Sequence, residues 1–208
     1  MSVIPRPEII VGDDSLARCG WGSASDEYRR YHDDEWGTPQ HDPVRLFEKV
    51  CLEGFQAGLS WITILRRRPA FREVFHGFDP PRVAAMTESD VERLLGDERI
   101  IRHRGKIEAT IQNARATLAL DVPIEQLLWG FAPPPRAAAP ASFAEVPATT
   151  SESAAMSKEL RRRGFRFVGP TTMYALMQAA GMVDDHLAGC FRAAPATQHA
   201  APSVASAV

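Results

Sequence analysis

Four residues near the two ends of this chain have the types and spacing of a metal site: Cys19 with His32 behind it, and His186 with Cys190 four residues later. Thiolates and neutral imidazoles suit zinc, and a Cys2His2 set fills a tetrahedral site with no open position, so an ion held there is structural rather than catalytic. If Asp185 caps a short helix, His186 and Cys190 project from one face of it. The competing reading is that scattered cysteines and histidines are core or surface residues. Cys51 is one of these, on an apolar stripe. Three cysteines, odd in number and far apart, make no disulfide framework and point to a reducing, cytoplasmic compartment.

A second constellation lies in the run Leu52 to Leu65, which holds one carboxylate, Glu53, one tryptophan, Trp61, and the glycines Gly54 and Gly58. A carboxylate and an indole brought together at a glycine break suit a small pocket. Glu53 sits at the edge of the apolar face, four residues after Lys49, so an exposed ion pair is the alternative. Trp61 alone is more often core than platform. Upstream, Tyr28, Tyr31, His32 and Glu35 share one helical face behind a Ser25 or Asp26 cap. Two phenols and an imidazole on one face also fit a half-buried stripe.

The elements that must position these groups read as helices. Asp42-Pro43 is an N-cap followed by proline at the first helical position, and Leu46, Phe47, Val50, Cys51 and Gly54 follow as a buried stripe. Thr87 to Asp90 resembles a capping box, and Arg104 to Leu120 is amphipathic. Residues 132–150 are rich in proline and alanine and read as a long connection. A helix from about Ser151 to Arg163, a turn at Gly164 and Gly169, and a second helix stopped by Gly181 come next. The backbone N–H groups near Gly169 can hold a phosphate. Few segments alternate with period two, so the fold class is all-α. Residues 18–192 form one domain, 1–17 a loose N-terminal extension and 193–208 a disordered tail.

Composition sets limits. The 208 residues are 45% hydrophobic, enough for a full core, and the net charge of -2 supplies no global attraction for nucleic acid or acidic membranes. Three local runs are basic: Arg66 to Arg72, Arg99 to Lys106, and Lys158 to Arg166. Each reads first as a solvated helix face. No apolar run approaches the ~18 residues of a membrane span.

Several blocks together carry a resemblance: Arg18-Cys19-Gly20-Trp21, Tyr31-His32-Asp33-Asp34-Glu35-Trp36-Gly37, Leu52-Glu53-Gly54, Gln56 to Thr63, Arg102 to Ile107, and Arg163-Gly164-Phe165 through Val168-Gly169. From Arg18 to about Cys190 the chain resembles the 3-methyladenine DNA glycosylase I family. The resemblance implies a helix-hairpin-helix glycosylase fold with structural zinc on Cys19, His32, His186 and Cys190. It implies a pocket in which Glu53 reads the base edge, lined by Trp21, Tyr28, Tyr31 and Trp61. It also implies a hairpin at Val168-Gly169 that grips DNA, and Leu59 as a probe of the vacated stack. Arg163, Arg166 and Thr171 are the further DNA contacts expected.

On that resemblance the substrate is alkylated double-stranded DNA, the product is free 3-methyladenine, and the protein acts as a monomer. Thr171 stands where lyase members carry a Schiff-base lysine, so base removal without strand cleavage is expected. Val183-Asp184-Asp185-His186 resembles a run in which other superfamily members hold a catalytic aspartate, which makes Asp184 a candidate; its competing role is to cap the segment bearing His186. A zinc-stabilised DNA-binding protein without catalysis is the alternative from another class.

Overall fold

Asp42 and Pro43 start the central helix as their types predict: the Asp42 carboxylate accepts from the Arg45 backbone N–H at 2.8 Å, and proline occupies the first turn. The computed structural model describes residues 7–193. Their helices are α1 (Asp26–Asp34), α2 (Pro43–Gln56), α3 (Trp61–Val74), α4 (Pro80–Ala84), α5 (Glu88–Leu95), α6 (Arg104–Leu118), α7 (Ile124–Trp129), α8 (Ser151–Arg162) and α9 (Pro170–Ala179).

α2 packs against α3, α6, α7 and α9. Surrounded on so many sides, it buries more than the stripe that its periodicity marks, including Glu48, Lys49 and Glu53. Its carbonyl end leaves acceptors without intrahelical partners. Lys106 of α6 satisfies two of them, donating from Nζ to Phe55 O at 2.8 Å and Ala57 O at 2.6 Å. Lys106 is therefore not part of a solvated basic face. The main core runs from Leu46 and Phe47 through Phe55, Phe71, Phe75 and Phe78 to Met173 and Met177, and a smaller apolar cluster gathers Cys19, Leu187 and Cys190.

The expected capping box is present: the Thr87 N–H donates to Asp90 Oδ2 at 2.9 Å. α8 ends where Gly164 predicts. Gly164 has φ +90°, its N–H donates to Arg161 O, and the Phe165 N–H reaches back to Leu160 O, with Phe165 and Leu160 buried together. This is a Schellman stop.

Two expectations change. The mostly helical fold also contains a short antiparallel pair, β1 (Ile9–Val11) with β2 (Ala17–Cys19), in which Ile9 lies opposite Cys19. Residues 9–11 are therefore strand rather than loose extension; three residues are too few to show alternation. The segment from Asp184 to Cys190 is not a helix. Gly189 has φ +92°, and the Ala188 N–H donates to Pro140 O instead of back along its own segment. Residues 1–6, and the expected tail beyond Ala193, lie outside the described residues.

Candidate functional site

α1, α2 and α3 bring an aromatic wall and a carboxylate together. Ser25 caps α1 through the Tyr28 N–H, which presents Tyr28, Tyr31 and His32 toward the body of the protein. At the start of α3, the Tyr28 hydroxyl accepts from the Ile62 N–H at 3.1 Å and so satisfies one of the free donors of that helix. Trp21 stands edge-on to Tyr28 and Trp36, with ring centroids 5.6 and 5.0 Å apart, and Tyr31 tilts against Trp61 at 5.4 Å. These rings line a cavity of about 280 Å³ with Glu53, Gln56, Phe143, Val146, Ala175, Gln178 and Asp185. That volume is at the small end for ligand sites and suits one planar heterocycle.

Glu53 is 3% exposed. It does not pair with Lys49, whose Nζ donates instead to Glu35 Oε1 at 2.8 Å; Arg68 approaches the same carboxylate at 2.6 Å. Burial pushes the Glu53 pKa up to about 8, against a smaller opposing pull from the Lys49 charge. Burial acts first on Glu35 as well, but Lys49 and Arg68 outweigh it and hold that carboxyl below its ordinary value. Lys49 and Arg68 also lie 6.0 and 5.9 Å from the centre of the Tyr31 ring, whose hydroxyl is held neutral by burial and by Glu53.

Three buried polar atoms of the cavity residues have no hydrogen-bond partner, Glu53 Oε2, Trp61 Nε1 and Asp185 Oδ1, and of these Asp185 Oδ1 has the Arg136 ion pair at 3.0 Å. An acceptor or donor buried without a partner costs about 1–3 kcal/mol, so their shared position on one cavity marks a place shaped for a polar ligand.

Sequence reasoning missed Asp185. It is 2% exposed on the cavity wall, and its Oδ2 accepts from the Tyr174 hydroxyl at 2.6 Å and from Gln178 Nε2 at 2.8 Å. Arg136, in the proline-rich connection, lies 3.0 Å from Oδ1. That connection also supplies Phe143 and Val146, so it forms part of the site. Asp184 is turned elsewhere: its carboxylate accepts from the His186 N–H at 3.0 Å and faces His186 Nδ1 at 2.8 Å.

The ligand atoms of Cys19, His32 and Cys190 are buried and lie within 4.8 Å of one another. His186 is adjacent but not in that group: its ring is edge-on to His32 at 5.0 Å, and its buried Nε2 has no hydrogen-bond partner. The two imidazoles are held alike. Asp33 faces His32 Nδ1 and Asp184 faces His186 Nδ1, each at 2.8 Å, which leaves Nε2 of each ring for an inner partner. Glycine is required beside each ring, since a Cβ at Gly22 would sit 2.7 Å from His32 Cγ and one at Gly37 2.5 Å from His186 Cε1. The Leu187 N–H donates to Cys19 Sγ at 3.3 Å.

The expected nucleic-acid contacts divide. Leu59 is 38% exposed at the turn after Gly58, which has φ +81°. In the loop between α8 and α9, Val168 is buried with its carbonyl on the Ser157 hydroxyl at 2.6 Å, Gly169 caps α9, and Thr171 is exposed in the first turn. Arg166 is exposed, while Arg163 is held by Glu159 and Asp121. Arg161, in the third basic run, has its guanidinium within 3.6 Å of where a Gly169 Cβ would be. The other basic runs are largely neutralised, with Arg66 on Glu27, Arg72 on Glu48, Arg99 on Glu73 and Asp97, and Arg104 on Glu88. No helix among the described residues is long and apolar enough to cross a membrane.

Residues 21–193 match the family described as methyladenine glycosylase. The chain is 52% identical over 179 residues to DNA-3-methyladenine glycosylase 1 of Escherichia coli (strain K12), covering 84% of this chain and 96% of that protein. A crystal structure of 3-methyladenine DNA glycosylase I superposes with a TM-score of 0.82 at 51% identity, covering 84% of this chain and 98% of the other. Another, of a tyrosine-to-phenylalanine variant in complex with 3-methyladenine, gives 0.79 at 34% identity and covers 83% and 95%.

Proposed function

The chain belongs to the methyladenine glycosylase family, and on that premise we propose that its aromatic cavity receives N3-methyladenine flipped out of duplex DNA. The protein removes 3-methyladenine in DNA repair, acting on the N-glycosyl bond. The observation that carries the pocket assignment is the pair of unpartnered atoms, Glu53 Oε2 and Trp61 Nε1, buried on one cavity walled by Trp21, Tyr28 and Tyr31.

Alkylation at N3 makes adenine a cation in DNA, and its departure neutralises it. The bond is already weak, so discrimination is the harder task. Electron-rich rings favour a cationic base by roughly 0.5–2 kcal/mol per good contact. Glu53 as a carboxylate accepts from the exocyclic amine and rejects a keto group in the same place. Its charge accelerates the reaction only as far as the preference persists into the transition state. Water then attacks the sugar carbon. Among the described residues the cavity lining contains no lysine, and α9 opens with Pro170, Thr171 and Thr172, so none of them places an amine there to form a Schiff base. The product is an abasic site in an uncut strand.

Asp184 is read as the group that orients His186, and Asp185 as the fixed carboxylate of the cavity wall. α8, its Schellman stop and α9 are read as the helix-hairpin-helix, with Arg161, Arg166, Gly169 and Thr171 toward phosphates and Leu59 as the wedge. Cys19, His32 and Cys190 fit zinc by donor type and proximity, and the orphaned Nε2 of His186 supplies the fourth ligand. A zinc ion there would be structural, tying β2 and α1 to the segment after α9. The protein is read as a cytoplasmic monomer.

The test is to incubate the protein with alkylated duplex DNA and to identify what is released. Free 3-methyladenine, with strand breaks appearing only after alkali, is expected. Tight DNA binding without release of base, and without binding of free 3-methyladenine, would instead favour a non-catalytic DNA-binding protein.

A further inference from the structure

The turn between α2 and α3 carries Leu59 into solvent with little packing of its own: a Cβ placed at Gly58 would meet nothing within 4 Å. Inside the turn, the Leu59 N–H closes on Gln56 O at 2.6 Å. Its tie to the rest of the molecule is Lys106, 7% exposed, whose ammonium bridges the carbonyls of Phe55 and Ala57. Lys106 is fixed in turn by α6, where its N–H donates to His103 Nδ1 at 3.2 Å.

The same helix grips the α8–α9 loop. Asn113 accepts from the Arg166 N–H at 2.7 Å and donates to Arg166 O at 3.1 Å, and Gln112 donates to Gly164 O at 3.4 Å. Phe167 then closes the gap between loop and helix: a Cβ at Gly54 of α2 would be 3.2 Å from Phe167 Cβ, and the Phe167 ring is edge-on to His103. One helix therefore fixes both the apolar tip and the phosphate-facing loop.

We propose that α6 is the brace against which Leu59 works, and that Lys106 is a positioning residue for extrusion of the damaged base from a duplex. This rests on the reading of Leu59 as the wedge. Displacing a stacked nucleotide costs about a few kcal/mol. A turn held only by its own hydrogen bond would yield under that load. Two charge-assisted hydrogen bonds from a buried ammonium hold it in place before DNA arrives.

The experiment compares Lys106→Met with the parent on the same alkylated strand, once in a duplex and once single-stranded, under single-turnover conditions. Loss of hydrogen bonds from a charged donor predicts a fall of about 10- to 100-fold on the duplex. Excision from the single strand and affinity for free 3-methyladenine should remain at the parent's values. In a Leu59→Ala background, Lys106→Met should add no further loss on the duplex. Lys106→Arg, which keeps charged donors at the site, should recover most of the duplex rate and serves if the methionine variant folds poorly. Equal losses on both substrates, an unchanged duplex rate, additive losses with Leu59→Ala, or an arginine variant as slow as the methionine one would each overturn the proposal. A parent protein that releases no base from either substrate would instead overturn the functional reading itself.

Discussion

The Tyr28 hydroxyl accepts a hydrogen bond from the Ile62 backbone N–H at 3.1 Å, so a ring of the aromatic wall also terminates the helix that begins with Trp61. Tyr28→Phe keeps the ring and leaves that N–H unsatisfied. The expected cost is about 1 kcal/mol of stability, together with weaker binding of free 3-methyladenine because Trp61 loses its fixed position. Chemical denaturation and base titration by tryptophan fluorescence measure the two effects. Unchanged base affinity with reduced stability would confine Tyr28 to a capping role.

Glu53 makes stability depend on pH. Its folded pKa, raised to about 8, lies above the ordinary 4.5, so the native state binds the extra proton between these values. Stability attributable to Glu53 is therefore greatest below about pH 4.5 and falls as pH rises toward 8. Glu53→Gln removes that dependence, and its melting temperature relative to the parent should climb between pH 5 and pH 8. A constant difference between the two melting curves over this range would show that Glu53 is not buried as a neutral acid.

The same substitution tests base reading. An ionised Glu53 accepts from the exocyclic amine, so affinity of the parent for free 3-methyladenine should rise with pH toward 8, while Glu53→Gln should bind with a flatter profile and about 1–3 kcal/mol less favourably. Calorimetry in buffers of different ionisation enthalpy should detect proton release on binding to the parent. Excision and binding indistinguishable from the parent would remove Glu53 from the pocket's chemistry.

One zinc per chain is expected in protein purified without added metal. Cys190→Ala and His186→Ala should lose it on elemental analysis, and Cys51→Ala should keep it, because Cys51 is a core residue of α2. Asp184→Ala should weaken zinc binding by about 10- to 100-fold, as removal of an imidazole's outer partner does. With zinc saturating, its single-turnover rate should match the parent. Normal zinc affinity with slow excision would return Asp184 to a catalytic role.

Phosphate contacts should follow pairing. Arg161→Ala and Arg166→Ala should each weaken binding to damaged and undamaged DNA alike and reduce the salt slope by about 1. Arg163→Ala should change the slope less, since its guanidinium is held by Glu159 and Asp121. A larger slope change from Arg163→Ala would mean that those ion pairs open on DNA.

Local signals were legible. Asp42-Pro43, Thr87 with Asp90, Ser25, and Gly164 each act within a turn of themselves, and each stands where its residue type predicts. The aromatic face of α1 and the edge position of Glu53 were also readable, but whether Glu53 faced water depended on helices remote in sequence. Burial on several sides of α2 and the capture of Lys49 by Glu35 decided it. Lys106 looked like one more cation in a basic run, because its partners Phe55 and Ala57 lie some fifty positions away. Arg136 and Phe143 were hidden in a segment whose composition said only loop. The sequence marks Asp184 as the site candidate and Asp185 as a helix cap; outside a helix, neighbouring side chains diverge, and only the fold turns Asp184 to His186 and Asp185 to the cavity.

The joining of β2 to the segment after α9 has a consequence in time. Cys19 finds the Leu187 N–H 168 positions later, and Ala17 O waits for the Phe191 N–H. At synthesis rates of about 5–20 residues per second, that interval is roughly 8–34 seconds. For most of it, once Trp61 has been made, the aromatic wall from Trp21 to Trp61 exists without Asp185 opposite, and Cys19 and His32 without Cys190. A nascent chain can therefore pack α2 against α3, α6 and α7 early, yet α9 and the segment after it, which complete the core and the site, are made last among the described residues.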